Sequence, residues 1–177
     1  MKILKRILIG TVLIILFGGI LSVTHSSIQL DNSILINTGA ERAYSSISDF
    51  SQFSKWSPFL VSDPQQKNWT TGMNGAVGSR FHWKSVAEEG EGFQELVEAD
   101  PNSSVRIRCT ITKPFESSPE FLYTISETKE NTLKIKQSFK MQCSAMDKLM
   151  MSIFGITSEI DETNRLGLNR LKQLLEK

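Results

Sequence analysis

Cysteine, histidine and surplus charge are all scarce in this chain, and each scarcity closes off a class of protein. Of 177 residues, two are cysteine (Cys109, Cys143) and two are histidine (His25, His82). Two cysteines exclude a disulfide framework. One bridge stays open, but isolated cysteines are among the most often buried side chains and read better as free thiols. The spacing of these four residues does not suit zinc, so no metal is expected. A histidine-activated nucleophile could draw only on His82, and no G-x-S-x-G turn occurs. Lys and Arg number 20 against 19 Asp and Glu, a net charge of +1. A nucleic-acid partner would need a basic excess that is missing. The glycine-rich stretch Gly72-Met73-Asn74-Gly75-Ala76-Val77-Gly78 leads into a strand pattern rather than a helix, which argues for a hairpin connection over a phosphate loop. No cofactor is implied.

Long uncharged runs are also rare. The one present lies at the start, where Ile7 to Val23 reads ILIGTVLIILFGGILSV. At 17 residues it is at the short end of what spans a bilayer. Lys2, Lys5 and Arg6 precede it, and no Lys or Arg follows until Arg42. The positive-inside rule then puts the amino terminus in the cytoplasm and the rest of the chain on the far side of a membrane. A cleaved signal peptide with secretion is the alternative. The length of the apolar run and the poor cleavage site at Leu21-Ser22-Val23-Thr24-His25-Ser26 favour an anchor. A buried core helix fits less well, because this segment is apolar all round. Residues 1–26 are thus expected to be a cytoplasmic tip and anchor, and residues 27–177 one soluble domain.

Within that domain the periodicity changes twice. Ser27 to Ile36 reads as a first strand. Thr38 and Glu41 have the spacing of a capping box for a short helix carrying Ala43, Tyr44 and Ile47. Phe50 to Trp56 reads as a second short helix, stopped by Pro58. Twofold alternation follows in Arg80–Lys84, Val105–Ile111, Glu120–Ile125 and Leu133–Met141, with a less regular strand over Gly90–Ala99. About six such strands, each with one wet face, indicate an antiparallel sheet. From Met146 through Leu149, Met150, Ile153, Ile156, Ile160, Leu168 and Leu171 to Leu175 the apolar spacing is helical. Gly155 and Gly167 interrupt this stretch, where a kink or a close backbone approach is expected. The sequence is therefore expected to give an α+β fold, with a curved antiparallel sheet wrapped on a long carboxy-terminal helix. A sheet and a single helix touch over only part of their length, so an apolar cavity is expected between them.

Several motifs resemble the SRPBCC or START-like superfamily. They are Ala40-Glu41-Arg42-Ala43-Tyr44, Asp49-Phe50, Lys55-Trp56-Ser57-Pro58-Phe59, Gly78-Ser79-Arg80-Phe81-His82-Trp83, Gly90-Glu91-Gly92 and Lys113-Pro114-Phe115. Their order is similar to the bacterial polyketide cyclase/dehydrase and lipid transport group, over about Ile28 to Leu175. The resemblance implies the helix-grip fold and a cavity that takes lipids, polyketides or other hydrophobic molecules. It implies no catalytic residue.

The candidate ligand-binding residues are Trp56, Phe59, Trp83, Phe115, Tyr123, Met150 and Phe154, which could line a pocket or simply be core. Glu95 shares strand parity with Phe93 and Val97. If those face inward it is an acid in an apolar cavity; if not, it is a solvent-facing or arginine-paired carboxylate. The expected function is membrane-anchored binding or transport of a hydrophobic small molecule or lipid. The alternative is a cyclase- or dehydratase-like enzyme using Glu95, His82 or Tyr123 as acid–base groups. A third reading makes the basic row Arg106, Arg108, Lys134, Lys136 and Lys140 a docking face for an acidic partner or anionic lipid head groups. Trp56 and Phe59 are expected to close the open end of the sheet.

Overall fold

The computed structural model describes residues 18–86, 90–129 and 132–177. The expected membrane segment, residues 7–23, lies mostly outside them. Residues 18–23 are helical, α1. Among the described residues no helix is long and apolar enough to cross a membrane.

The chain then runs β1 (His25–Asn37), α2 (Ala40–Ser48), α3 (Phe50–Trp56), α4 (Phe59–Ser62), β2 (Lys67–Thr71), β3 (Arg80–Lys84), β4 (Glu91–Asp100), β5 (Ser104–Lys113), β6 (Glu120–Lys129), β7 (Thr132–Ser144), α5 (Ala145–Ile153) and α6 (Ile156–Leu175). The strands form one seven-stranded antiparallel sheet in the order β1-β7-β6-β5-β4-β3-β2. Register shifts at Glu91/Gly92 and Leu96/Glu98 mark irregularities where β4 pairs β5, the kind of feature that bends a sheet.

One face of the sheet is apolar because each strand alternates. Val105 and Ile107 of β5, Tyr123 and Ile125 of β6, and Leu133, Ile135 and Phe139 of β7 are buried. They meet Ala43 and Ile47 of α2 and Leu168, Leu171 and Leu175 of α6. Full burial of a leucine or isoleucine contributes about 1.5–3 kcal/mol, so this shared face holds the helices on the sheet.

Three details differ from the sequence expectation. The first helix is capped by Gly39, with no side-chain cap bond, so the Thr38–Glu41 box does not form. Thr38 is itself buried, and the helix begins one residue later than a Thr38 cap would require. Strand β2 had no alternation to announce it, because all its residues are exposed on the sheet edge. The glycine-rich segment joins it to β3 as a hairpin connection, with Gly72, Gly75 and Gly78 at positive φ. The expected single long helix is two helices. Gly155, left-handed at φ 75°, separates α5 from α6, and a capping box of Ser144 and Asp147 starts α5. Gly167 is a close-approach site: a Cβ there would lie 3.4 Å from the Pro58 ring. Both cysteines are free thiols.

Candidate functional site

Two adjoining spaces lie on the apolar side of the sheet. The outer one has a volume of about 410 Å³ and lies between α3, α4 and strands β3, β4 and β5. Its walls include Phe53, Phe59, Phe81, Trp83, Cys109 and Ile111, with Lys113 and Pro114 among its exposed lining residues. The inner one is about 20 Å³ and reaches α6. Trp56, Ile107, Phe121, Tyr123, Gln137 and Asn164 surround it. Phe53, Phe59 and Gln94 line both, and so form the boundary between them.

The short helices place the aromatic wall. Asp49 caps α3 by accepting the Ser51 N–H at 2.8 Å, and the helix then buries Phe50, Phe53 and Trp56. Phe53 packs edge-on against Trp56 and Phe81 at centroid distances of 4.9 and 5.0 Å. The Trp56 indole N–H donates to the Ser46 carbonyl at 2.9 Å, and the Trp56 carbonyl accepts from Arg170 Nε at 3.2 Å. Trp56 therefore ties α2, α3 and α6 together. Phe59, half-exposed on α4, is the more accessible ring at the boundary of the two spaces. On the opposite side Trp83 lies across Gly92, where a Cβ would come within 2.9 Å of the indole and 3.1 Å of the Ile111 Cα. The Thr110 carbonyl of β5 is nearer still, so the close passage of β4 against β5 and beneath Trp83 requires glycine there.

Of the residues expected at a pocket, Trp56, Phe59, Trp83 and Tyr123 line these spaces. Phe115 is 81% exposed in the loop before β6, and Phe154 is 69% exposed after α5. Met150 is exposed on α5, and none of these three is among the lining residues. Met150 and Phe154 lie apart because α5 breaks away from α6 at Gly155 and buries none of its own residues.

Glu95 is on the other face of the sheet. Gly92, Gln94 and Leu96 are the buried residues of β4, so Phe93, Glu95 and Val97 point outward. Glu95 pairs with Arg80 at 3.3 Å. The Arg80 guanidinium also covers the Phe93 ring at 4.6 Å, which explains how an aromatic residue tolerates the outer face. His82 shares that face. It stacks on Trp69 at 5.1 Å, and its Nε2 lies 2.9 Å from the Thr71 hydroxyl. Partial burial and the Arg80 charge hold its pKa below the usual imidazole value. The basic row is largely neutralised: Arg106 pairs with Glu98 and Glu120, Arg108 with Glu120, and Lys136 with Asp31.

Two titratable groups on the cavity side are held neutral. Burial pushes the Cys109 thiol up to about 12 and drives the Tyr123 phenol well above its ordinary value. Both stay protonated at neutral pH. Among the described residues no cluster of His, Cys, Asp or Glu could hold a metal ion.

Sequence reasoning missed the buried amides Gln94, Gln137 and Asn164. A signal was present for two of them. Gln137 falls in the inward parity Leu133, Ile135, Phe139, and Asn164 falls in the helical stripe between Ile160 and Leu168. A polar residue occupying an apolar position in a periodic pattern is either satisfied inside or aimed into a cavity.

Solved structures share the architecture. Norcoclaurine synthase from Thalictrum flavum superposes with a TM-score of 0.64 at 13% identity, covering 86% of this chain and 95% of the synthase. The Aha1 dimer structure from Colwellia psychrerythraea gives 0.54 at 17% identity, covering 84% and 96%. A solution structure from Thermobifida fusca gives 0.59 at 19% identity, covering 81% and 90%. At these identities the likeness concerns the fold alone. No curated protein matches the chain. The family model for polyketide cyclase / dehydrase and lipid transport matches residues 27–176, and the chain therefore belongs to that family.

Proposed function

We propose that this domain reversibly binds a hydrophobic small molecule or lipid, and that its amino-terminal segment holds it at a membrane. The observation that carries the reading is the cavity of about 410 Å³ with aromatic and aliphatic walls. Pockets of this size and character suit ligands that are mostly apolar. Each methylene moved from water into such a space contributes about 0.8 kcal/mol, so a medium acyl chain gains useful affinity without any charged contact. Phe59 at the boundary, backed by Trp56, would act as the gate.

The membrane part rests on a second feature. The exposed apolar residues Leu149, Met150, Ile153, Phe154 and Ile156 cluster around α5 and the turn after it. The start of the described chain meets the same helix: a Cβ on Gly18 would lie 3.6 Å from Met146 Cε, and the Thr24 carbonyl accepts the Ala145 N–H at 2.8 Å. An apolar helix face beside the end of an apolar segment suits the boundary of a bilayer. In this reading the amino terminus is cytoplasmic and the domain extracytoplasmic, with secretion after signal cleavage as the alternative. The cyclase reading would need acid–base groups facing the cavity: Glu95 and His82 lie on the outer face of the sheet, and Tyr123, which does line the inner space, is held protonated by its burial.

Gentle purification of the full chain followed by native mass spectrometry, with lipid extracts offered, tests the binding. A co-purifying or exchangeable apolar ligand is expected. A protein that neither retains nor takes up any such molecule ends the proposal.

A further inference from the structure

The geometry points to a ligand that is uncharged and carries a hydroxyl at the end buried deepest in the cavity. This inference rests on the binding reading above and specifies the class of ligand. The inner space measures about 20 Å³, room for about one oxygen with its hydrogen. No charged side chain lines it. What it has instead is two unspent amide groups. Gln137 is almost fully buried; its Nε2 donates to Tyr123 Oη at 2.8 Å, while its Oε1 has no partner. Asn164 is equally buried, and its Nδ2 has no partner. With the two ends of the Gln137 amide exchanged, Tyr123 would donate to Oε1 and Nε2 would face the space as a second donor, which an ether oxygen could answer as well; equal displacement by alcohol and ether below is the result that arrangement would give.

Leaving buried amide atoms unpaired is costly, so such groups normally meet a partner. A guest oxygen in this space can accept from Asn164 and donate to Gln137 at once. A hydroxyl does both. An ether or ketone oxygen accepts only, and leaves Gln137 Oε1 unspent. A carboxylate would be buried without a counter-charge, which is far less favourable than a neutral group. The apolar body of the ligand then fills the outer space past Gln94 and Phe59. A single trapped water could answer the same two amides, and the test below separates a water site from a ligand site.

The full chain is loaded with the uncharged fluorophore N-phenyl-1-naphthylamine, and displacement by decan-1-ol, decyl methyl ether and decanoate is compared above neutral pH. Decanol is expected to displace the fluorophore at about tenfold lower concentration than the ether, although the ether is the more apolar, and decanoate is expected to be weakest. Gln137→Leu should bring decanol to within about twofold of the ether while leaving the ether's own value in place, and Asn164→Leu, which removes the one bond the ether can accept, should weaken both. The wild-type ranking alone decides the matter if either variant fails to fold. Equal displacement by decanol and ether, or a preference for decanoate, overturns this inference and leaves apolar binding intact. Failure of the fluorophore and all three compounds to bind overturns both.

Discussion

Gln94 and Glu95 are neighbours on one strand, yet they belong to different chemical worlds. Gln94 is buried at the boundary of the two spaces, whereas Glu95 faces outward against Arg80. The same contrast runs across the sheet. The outer face carries the ionisable groups, joined in pairs and networks and partly open to water. The inner face carries rings, aliphatic chains, a protonated thiol and neutral amides, with Asp63 and the exposed Lys113 also lining the outer space. Water can solvate charge on one side and cannot on the other. A pocket on the dry side is suited to holding a mostly apolar molecule.

Substitutions on the two faces should therefore differ sharply. The largest effect is expected for Trp56→Ala, which empties a fully buried ring site and removes the bond to Ser46. A loss of about 3–5 kcal/mol in denaturant unfolding is expected, with weaker uptake of apolar ligands. An unaffected midpoint would show that Trp56 is not part of the wall. Next comes the direct test of the two neighbours. Gln94→Glu places a carboxylate on the dry side and should cost about 3 kcal/mol at neutral pH, less in acid where the group takes a proton. Glu95→Gln breaks a partly exposed pair and should cost under about 1 kcal/mol, with ligand uptake unchanged. Equal penalties would erase the distinction between the faces.

Between those two in size stands an alkaline effect. The folded Cys109 thiol keeps its proton up to about 12, while the unfolded thiol releases it from its ordinary value near 9.0. In that window the unfolded state holds fewer protons, so stability falls as pH rises. One pH unit into the window the loss is about 1.4 kcal/mol. Cys109→Ala should flatten this limb in unfolding curves taken at successive pH values.

The smallest effect lies on the outer face and has the opposite sign. The folded His82 resists protonation relative to its ordinary value of 6.5. As pH drops below that value the unfolded imidazole takes a proton first, so stability declines toward acid. His82→Gln should remove a small part of the acid limb without touching uptake. If it abolished uptake, His82 would have to reach the cavity, contrary to its stack on Trp69.

Periodicity was enough to reveal most strands, the two short helices and the helix-grip arrangement. Val105, Ile107, Leu133 and Ile135 alternate with polar neighbours, and a chain with one apolar face per strand has few ways to bury it. The interruptions at Gly155 and Gly167 were visible as glycines in a helical stripe. Their different roles, a left-handed break and a close approach to Pro58, depend on where the chain goes next. Strand β2 was invisible because an edge strand exposed on both sides needs no alternation.

The side chains of the site were less legible. Parity in β4 admits two solutions, since Gly92, Gln94 and Leu96 balance Phe93, Glu95 and Val97. Only the register with β3, which sets Arg80 opposite Glu95, decides between them. Local spacing determined which residues share a face; long-range pairing decided which face is dry. Periodicity is a property of neighbouring residues, whereas the space left between a bent sheet and its helix depends on contacts between residues far apart in the chain. The unpaired amides of Gln137 and Asn164 meet across that space from β7 and α6, a meeting that local pattern does not encode.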